Sequence, residues 1–104
     1  MEYVALASHS PEACPASNAK VRERTQQAMG TLEEVGKRHQ VKLKSAHVLG
    51  PKHLIVFIFE AAGIEAVRDF IRESGIIQWN DVELYPSQTM QDAMQSISSL
   101  EPIW

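Results

Sequence analysis

The chain has 104 residues, with 10 lysine and arginine residues against 13 aspartate and glutamate residues, a net charge of −3 and a single cysteine. These numbers fit one domain over residues 1–104 and exclude a disulfide scaffold, a disordered chain and a multidomain enzyme. The basic residues are scattered, so no nucleic-acid partner is expected. The longest apolar run, Leu54 to Phe59, is too short to span a membrane, and residues 1–20 lack a signal-peptide pattern. A cytoplasmic protein is therefore predicted.

The first part of the chain predicts a strand, a long helix and a second strand. Tyr3 to Ser8 is rich in strand formers. A helix is predicted from Ser17 or Asn18, both good N-caps, to a point near residues 37–39. Aliphatic residues alternate with lysines from Val41 to Ser45, as expected for a half-exposed edge strand. The predicted buried side of the helix carries Val21, Thr25, Ala28, Met29, Leu32 and Val35.

The middle of the chain predicts a central strand and a second helix. Leu54 to Phe59 has no polar alternation, which is typical of a strand covered on both faces. A helix is then predicted from Ile64, and Gly75 is suitably placed to end it. This third strand is therefore expected in the middle of the sheet.

The last part of the chain predicts a fourth strand and a terminal helix. The strand is expected over Asp81 to Tyr85, ended by Pro86. Thr89 with Asp92 resembles a capping box that begins the last helix. The apolar side of this helix would consist of Met90, Ala93, Met94, Ile97 and Leu100.

This order of elements predicts an α+β fold: a ferredoxin-like β-α-β-β-α-β antiparallel sheet with an extra C-terminal helix. Right-handed crossovers put strands one and three in the centre, strand two beside three and strand four beside one, with two helices on one face. The other face then needs a cover, and a second subunit is the simplest one. We therefore expect a homodimer that buries either Ile55, Phe57 and Phe59 or Leu54, Val56 and Ile58.

The element order and the size resemble the dimeric α/β-barrel members of the ferredoxin-like fold, above all the small single-domain GYD-like proteins of uncharacterised function. The resemblance implies a homodimer in which two sheets close face to face. Proteins of this architecture include monooxygenases, lactone isomerases, haem degraders and small metal-binding proteins, so the resemblance does not select one function.

Four residues with metal-binding side chains are predicted to meet at one edge of the sheet. His9 ends strand one, Cys14 lies in the connection to the first helix, His47 ends strand two and His53 opens strand three. His39 is expected at the opposite end. Imidazole and thiolate bind zinc, nickel, copper and iron. We therefore predict a transition metal ion held by His9, Cys14 and His53, with His47 as a possible fourth ligand.

Other functions remain open at this point. In a cofactor-independent isomerase or oxygenase, His9 or His53 would act as general base on a small organic molecule in the barrel cavity. Cys14-Pro15-Ala16-Ser17 resembles the Cys-Pro-x-Ser of monothiol glutaredoxins, which would imply thiol-dependent redox chemistry at Cys14. Strands two and three are joined directly, however, where a thioredoxin-like fold needs a helix. A module for protein contacts alone would have no site, and its histidines and cysteine would be ordinary surface or packing residues.

Overall fold

A computed structural model describes residues 1–104. It contains three α-helices and a sheet of four antiparallel strands, so the predicted α+β class is confirmed. No helix has both the length and the apolar character that a membrane span requires. The elements in chain order are β1 (Glu2–Ser8), α1 (Ala19–His39), β2 (Lys42–Leu49), β3 (Leu54–Glu60), α2 (Ile64–Ser74), β4 (Asp81–Ser87) and α3 (Met90–Ser98), with short 3₁₀ turns at Pro11–Ala13 and Ile76–Gln78.

The strands lie in the order β2-β3-β1-β4, so β3 and β1 are central and β2 and β4 form the edges. These are the neighbours that the sequence predicts. Strand β4 is longer than expected, because it continues through Pro86 to Ser87. Proline has no N–H to donate, and a strand with one free edge can accommodate it without losing a bond to its neighbour.

The core lies between one face of the sheet and helices α1 and α2. Alternate residues of β1 are buried on this side, and two of them, Ala5 and Ala7, have no exposed surface. The small Ala5 pairs with the large Phe57, which lets the layer close without a gap. Phe59 contacts Phe70 of α2 edge to face, with ring centroids 5.2 Å apart. The buried core also includes Tyr3, Leu32, Val35, Val41, Val67 and Ile71.

The opposite face of the sheet, which we call the open face, has no helix over it, and the middle of its two central strands is apolar. Its central residues are only partly buried, whereas Ile55, Phe57 and Phe59 lie on the helix side. The last helix does not cover the open face, because α3 has no buried side chain and packs extensively against no other element. Of the two alternative sets of β3, the one on the uncovered face is therefore Leu54, Val56 and Ile58, joined by Val4 and Leu6 of β1.

A bulge in β2 decides which side chains of this edge strand face the helices. Leu43 pairs with Phe59 on the helix side, whereas Ser45 pairs with Ile58 on the open face, because the register shifts between them. One extra residue reverses the alternation of all the residues that follow. His47, two positions after Ser45, therefore belongs to the open face.

Helices α1 and α2 are also joined by a charged cluster at the end of α1. Glu73 accepts hydrogen bonds from His39 Nε2 and from Arg38 Nη2, the latter at 2.6 Å. The hydrogen bond from His39 and the neighbouring Arg38 hold the pKa of Glu73 below its ordinary value. A carboxylate with a lowered folded-state pKa stabilises the fold above its unfolded-state pKa, and this contribution is lost as the pH falls through the folded-state value.

We expect Glu73→Gln to lower the free energy of unfolding at neutral pH and to bring little change in acid. The gap between the two proteins should begin to narrow near about pH 4.3, the ordinary pKa of a glutamate, and close as the pH falls through the lowered pKa of Glu73. Urea unfolding at several pH values between 3 and 7 measures it. Glu23→Gln, at an exposed carboxylate of α1 without an ion pair, is the matched control. A constant gap between Glu73→Gln and the natural protein across this range would contradict the prediction.

Candidate metal centre

Three of the four predicted ligands lie together at one end of the strands, where β1 ends and β3 begins. A ring nitrogen of His9, a ring nitrogen of His53 and the sulfur of Cys14 all lie within 4.8 Å of one another, and the three residues are partly buried. Tetrahedral bonds of about 2.0 to 2.3 Å would set such atoms about 3.3 to 3.8 Å apart. Binding an ion would therefore draw the three side chains together by up to about 1.5 Å.

His9 is oriented by a buried amide. Its Nδ1 lies 2.9 Å from Oδ1 of Asn80, and Asn80 in turn donates from Nδ2 to the Ile76 carbonyl at 3.0 Å. Since the amide nitrogen of Asn80 is used in this way, its oxygen must accept and His9 Nδ1 must donate. In the neutral tautomer that this bond selects, Nε2 carries the lone pair with which a histidine binds a metal.

His53 stands in the turn between β2 and β3 with an unusual backbone conformation. Its φ is +57°, in the left-handed region that side chains seldom adopt. Its carbonyl accepts the backbone N–H of His9 at 3.2 Å, and the two imidazoles meet edge to face with centroids 5.5 Å apart. The turn therefore presents the His53 ring beside that of His9 at a conformational cost of about 1 kcal/mol.

The loop that carries Cys14 is held by hydrogen bonds to its own backbone. Asn18 caps α1, and its Nδ2 donates to the Glu12 carbonyl at 2.9 Å. Arg22, one turn further on, donates from Nε to the Pro15 carbonyl at 2.8 Å. These bonds fix the loop on both sides of Cys14, so the sulfur is presented by an ordered segment.

The sulfur of Cys14 accepts one hydrogen bond, from the backbone N–H of Ala16 at 3.5 Å. In the first turn of α1 the amides of Lys20 and Val21 are bound by the Asn18 side chain, and no amide of α1 donates to the sulfur. The direct contact between thiolate and helix N-terminus that would favour redox chemistry is therefore missing. The lone pairs of this free cysteine remain available to an ion.

His47, the possible fourth ligand, does not join the group. It is exposed and pairs with Val56 on the open face, whereas the other three lie at the edge on the helix side. The structure places His47 apart from the other three because the bulge in β2 reverses the alternation of that strand. His39 lies at the far end of α1 beside Glu73, as expected.

Asn80 has a role that the sequence does not indicate. It is a single asparagine before a strand, with no motif around it, and only the packing of the Ile76–Gln78 turn brings it to His9. It is 93% buried, by its relative exposure of 7%, so its oxygen has no access to alternative partners. We therefore regard it as the residue that positions His9.

We expect Asn80→Ala to weaken metal binding by about 10- to 100-fold, the usual effect of losing the hydrogen bond that orients a ligand. Asn80→Asp keeps an acceptor for His9 Nδ1 but cannot donate to the Ile76 carbonyl, so it should bind metal more tightly than Asn80→Ala and more weakly than the natural protein. Competition titration with a chromophoric chelator measures both variants. Equal affinities for Asn80→Ala and the natural protein would show that His9 needs no such partner.

No protein-family model matches this chain, and no curated protein matches it either. The functional inference therefore depends on the fold and on the three ligands alone. Together they define an α+β protein with a His, Cys and His group that could hold a metal ion.

Proposed function

We propose that this protein is a small homodimeric binding protein that holds one transition metal ion per chain between His9, Cys14 and His53, for sensing, storage or catalysis at the ion. The observation that carries the proposal is the approach of three ligand atoms to within 4.8 Å. They come from three separate segments of the chain, and two of them are oriented by further hydrogen bonds. Ordinary surface histidines do not need such positioning.

Among zinc, nickel, copper and iron, the donor set favours zinc. Two imidazoles and one thiolate leave a fourth position of a tetrahedral ion open, as in catalytic zinc sites. Copper in a trigonal His₂Cys site usually has a distant methionine or carbonyl oxygen as well. No methionine lines the cavity beside the three residues.

Zinc titration of the purified, untagged protein tests the proposal. We expect one zinc ion per chain, with affinity that falls as the pH is lowered, since protons compete for imidazole and thiolate. His47→Ala is the matched control, because it removes an exposed histidine from the other face and should bind zinc equally well. Protein that stays metal-free in added zinc, nickel, copper and iron would refute the proposal.

Removal of the metal should destabilise the protein only moderately. None of the three ligands belongs to the hydrophobic core, so the metal-free chain should still fold. A ligand that binds only the native state adds about 2.7 kcal/mol when its free concentration is 100 times its Kd. A chelator should therefore lower Tm while unfolding stays cooperative, as thermal scans followed by circular dichroism can show. Outright unfolding by the chelator would mean that the metal is structural.

The homodimer is proposed from two unpartnered apolar surfaces of one chain. The first is the open face, with Leu6, Val56 and Ile58 near its centre. The second is α3 with the segment after it, where Met94 is 54% exposed and Trp104 is fully exposed. The open-face residues are partly exposed and α3 has no buried side chain, and monomers seldom leave a large contiguous apolar surface in solvent. A second copy offers both surfaces at once, so its open face and its α3 could cover those of the first.

Such a dimer would be a ferredoxin-like α/β barrel, in which two four-stranded sheets pack face to face. The strand order and the uncovered face support this architecture and the resemblance to GYD-like proteins. Aligned sheets of this kind pack about 10 Å apart, with interdigitating aliphatic side chains. The mass of the protein in solution tests whether two chains associate.

A cofactor-independent isomerase or oxygenase is the second candidate, favoured by a cavity of about 460 Å³ beside His9 and His53. In that case a chelator should leave both stability and turnover of a small organic substrate unchanged. Thiol-dependent redox chemistry at Cys14 is the third. It would make activity depend on Cys14 but not on either histidine, so a His9→Ala variant separates it from metal binding.

A further inference from the structure

The cavity beside the three ligands is almost wholly apolar. It has a volume of about 460 Å³ and extends from the ligand group between the start of α1 and the β2–β3 turn. Its one other polar side chain, Thr25, already donates from Oγ1 to the Val21 carbonyl at 2.8 Å. The apolar part of the wall is formed by Pro15, Val48, Pro51 and Ile55.

No side chain in this cavity offers a fourth ligand of the usual kind. Its lining contains no carboxylate and no further histidine or cysteine beyond His9, Cys14 and His53. An ion bound by these three residues would therefore complete its coordination with a molecule from outside. That molecule would reach the ion from the cavity, since the cavity is in contact with all three ligands.

The charge of the site selects the kind of molecule. A divalent ion with one thiolate and two neutral imidazoles carries a net charge of +1. Next to apolar surface an unbalanced charge is costly, and a monoanion removes it. Apolar walls favour in addition a ligand with a hydrocarbon body, at about 0.8 kcal/mol for each buried methylene group.

We propose that the ion keeps an open coordination position towards this cavity and binds there a small apolar monoanion: an alkyl carboxylate whose oxygens coordinate the ion and whose chain fills the cavity. This inference rests on the proposed metal site and adds the class of ligand to it. Pro15, Val48, Pro51 and Ile55 would contact the chain of the ligand.

Cobalt-loaded protein titrated with a series of carboxylates, from acetate to hexanoate, tests this assignment. Coordination of a carboxylate changes the visible spectrum of cobalt. We expect Kd to fall about fourfold for each added methylene, which is the 0.8 kcal/mol above converted at 25 °C, until the cavity is full. Hexanol, which has the chain but not the charge, should leave the spectrum unchanged.

Val48→Ser tests the wall of the cavity without disturbing the core, since Val48 is 77% exposed. It should weaken hexanoate by up to about fourfold and leave acetate unchanged. Ala46→Ser is the control, on the same strand but outside the cavity lining. It should leave both affinities as they are.

The outcomes separate this inference from the function on which it rests. Protein that binds no cobalt or zinc overturns both. Protein that binds cobalt but shows no spectral response to any carboxylate overturns the open position and leaves the metal site intact. A response with equal affinity for acetate and hexanoate would show that the hydrocarbon chain of the carboxylate does not bind in the cavity.

Discussion

Cys14→Ala is expected to lower zinc affinity by more than about 100-fold. It removes one of only three protein ligands, and the loss of a mere orienting residue already costs 10- to 100-fold. His9→Ala should have a similar effect, because both side chains belong to one group whose atoms lie within 4.8 Å. Competition titration against a chelator of known affinity measures the loss.

His53→Gly distinguishes the loss of a ligand from the loss of the fold. His53 has a φ of +57°, which glycine adopts freely, so this variant should fold at least as well as the natural metal-free protein. It should nevertheless lose zinc as severely as Cys14→Ala. Zinc binding by His53→Gly at natural affinity would exclude His53 from the site.

The natural protein is expected to be a dimer at micromolar concentration, and Val56→Lys to be a monomer. Val56 lies on the open face of the central strand β3, paired with Leu6 on one side and His47 on the other. In a symmetric interface the lysine would appear twice. At about 2 kcal/mol for each buried polar group, the total of about 4 kcal/mol raises the Kd of the dimer about a thousandfold.

Light scattering coupled to size-exclusion chromatography measures the masses. Ile77→Lys is the matched control, because Ile77 is 49% exposed but lies in the turn before β4, away from the open face. It should leave the dimer intact. A monomeric natural protein would refute the dimer and the barrel, while dimers that survive Val56→Lys would place the interface elsewhere, with α3 as the next surface to change.

Much of the fold could be predicted from local patterns in the sequence. The apolar run from Leu54 to Phe59 predicts a central strand, and β3 is central, with one face on the helices and the other on the open face. The lysines of β2 indicate an edge, and β2 is one. Capping residues such as Asn18 and Thr89 mark the starts of α1 and α3 within a residue.

Strand direction alone also predicts that three of the ligands lie together. The ends of β1 and β2 and the start of β3 must share one edge of an antiparallel sheet, so His9, Cys14 and His53 are neighbours for topological reasons. Residue positions along elements are enough for that inference. The prediction does not depend on the direction in which each side chain points.

Side-chain direction is what the tertiary structure alone decided. The sequence has no sign of the bulge after Leu43, and this single extra residue turns His47 away from the site to the open face. It likewise has no sign that Asn80 orients His9, since that hydrogen bond joins residues 71 positions apart. Periodicity and caps are local properties, and the sequence determines them. Which face a residue takes after a bulge, and which amide meets a distant imidazole, depend on the packing of the whole chain.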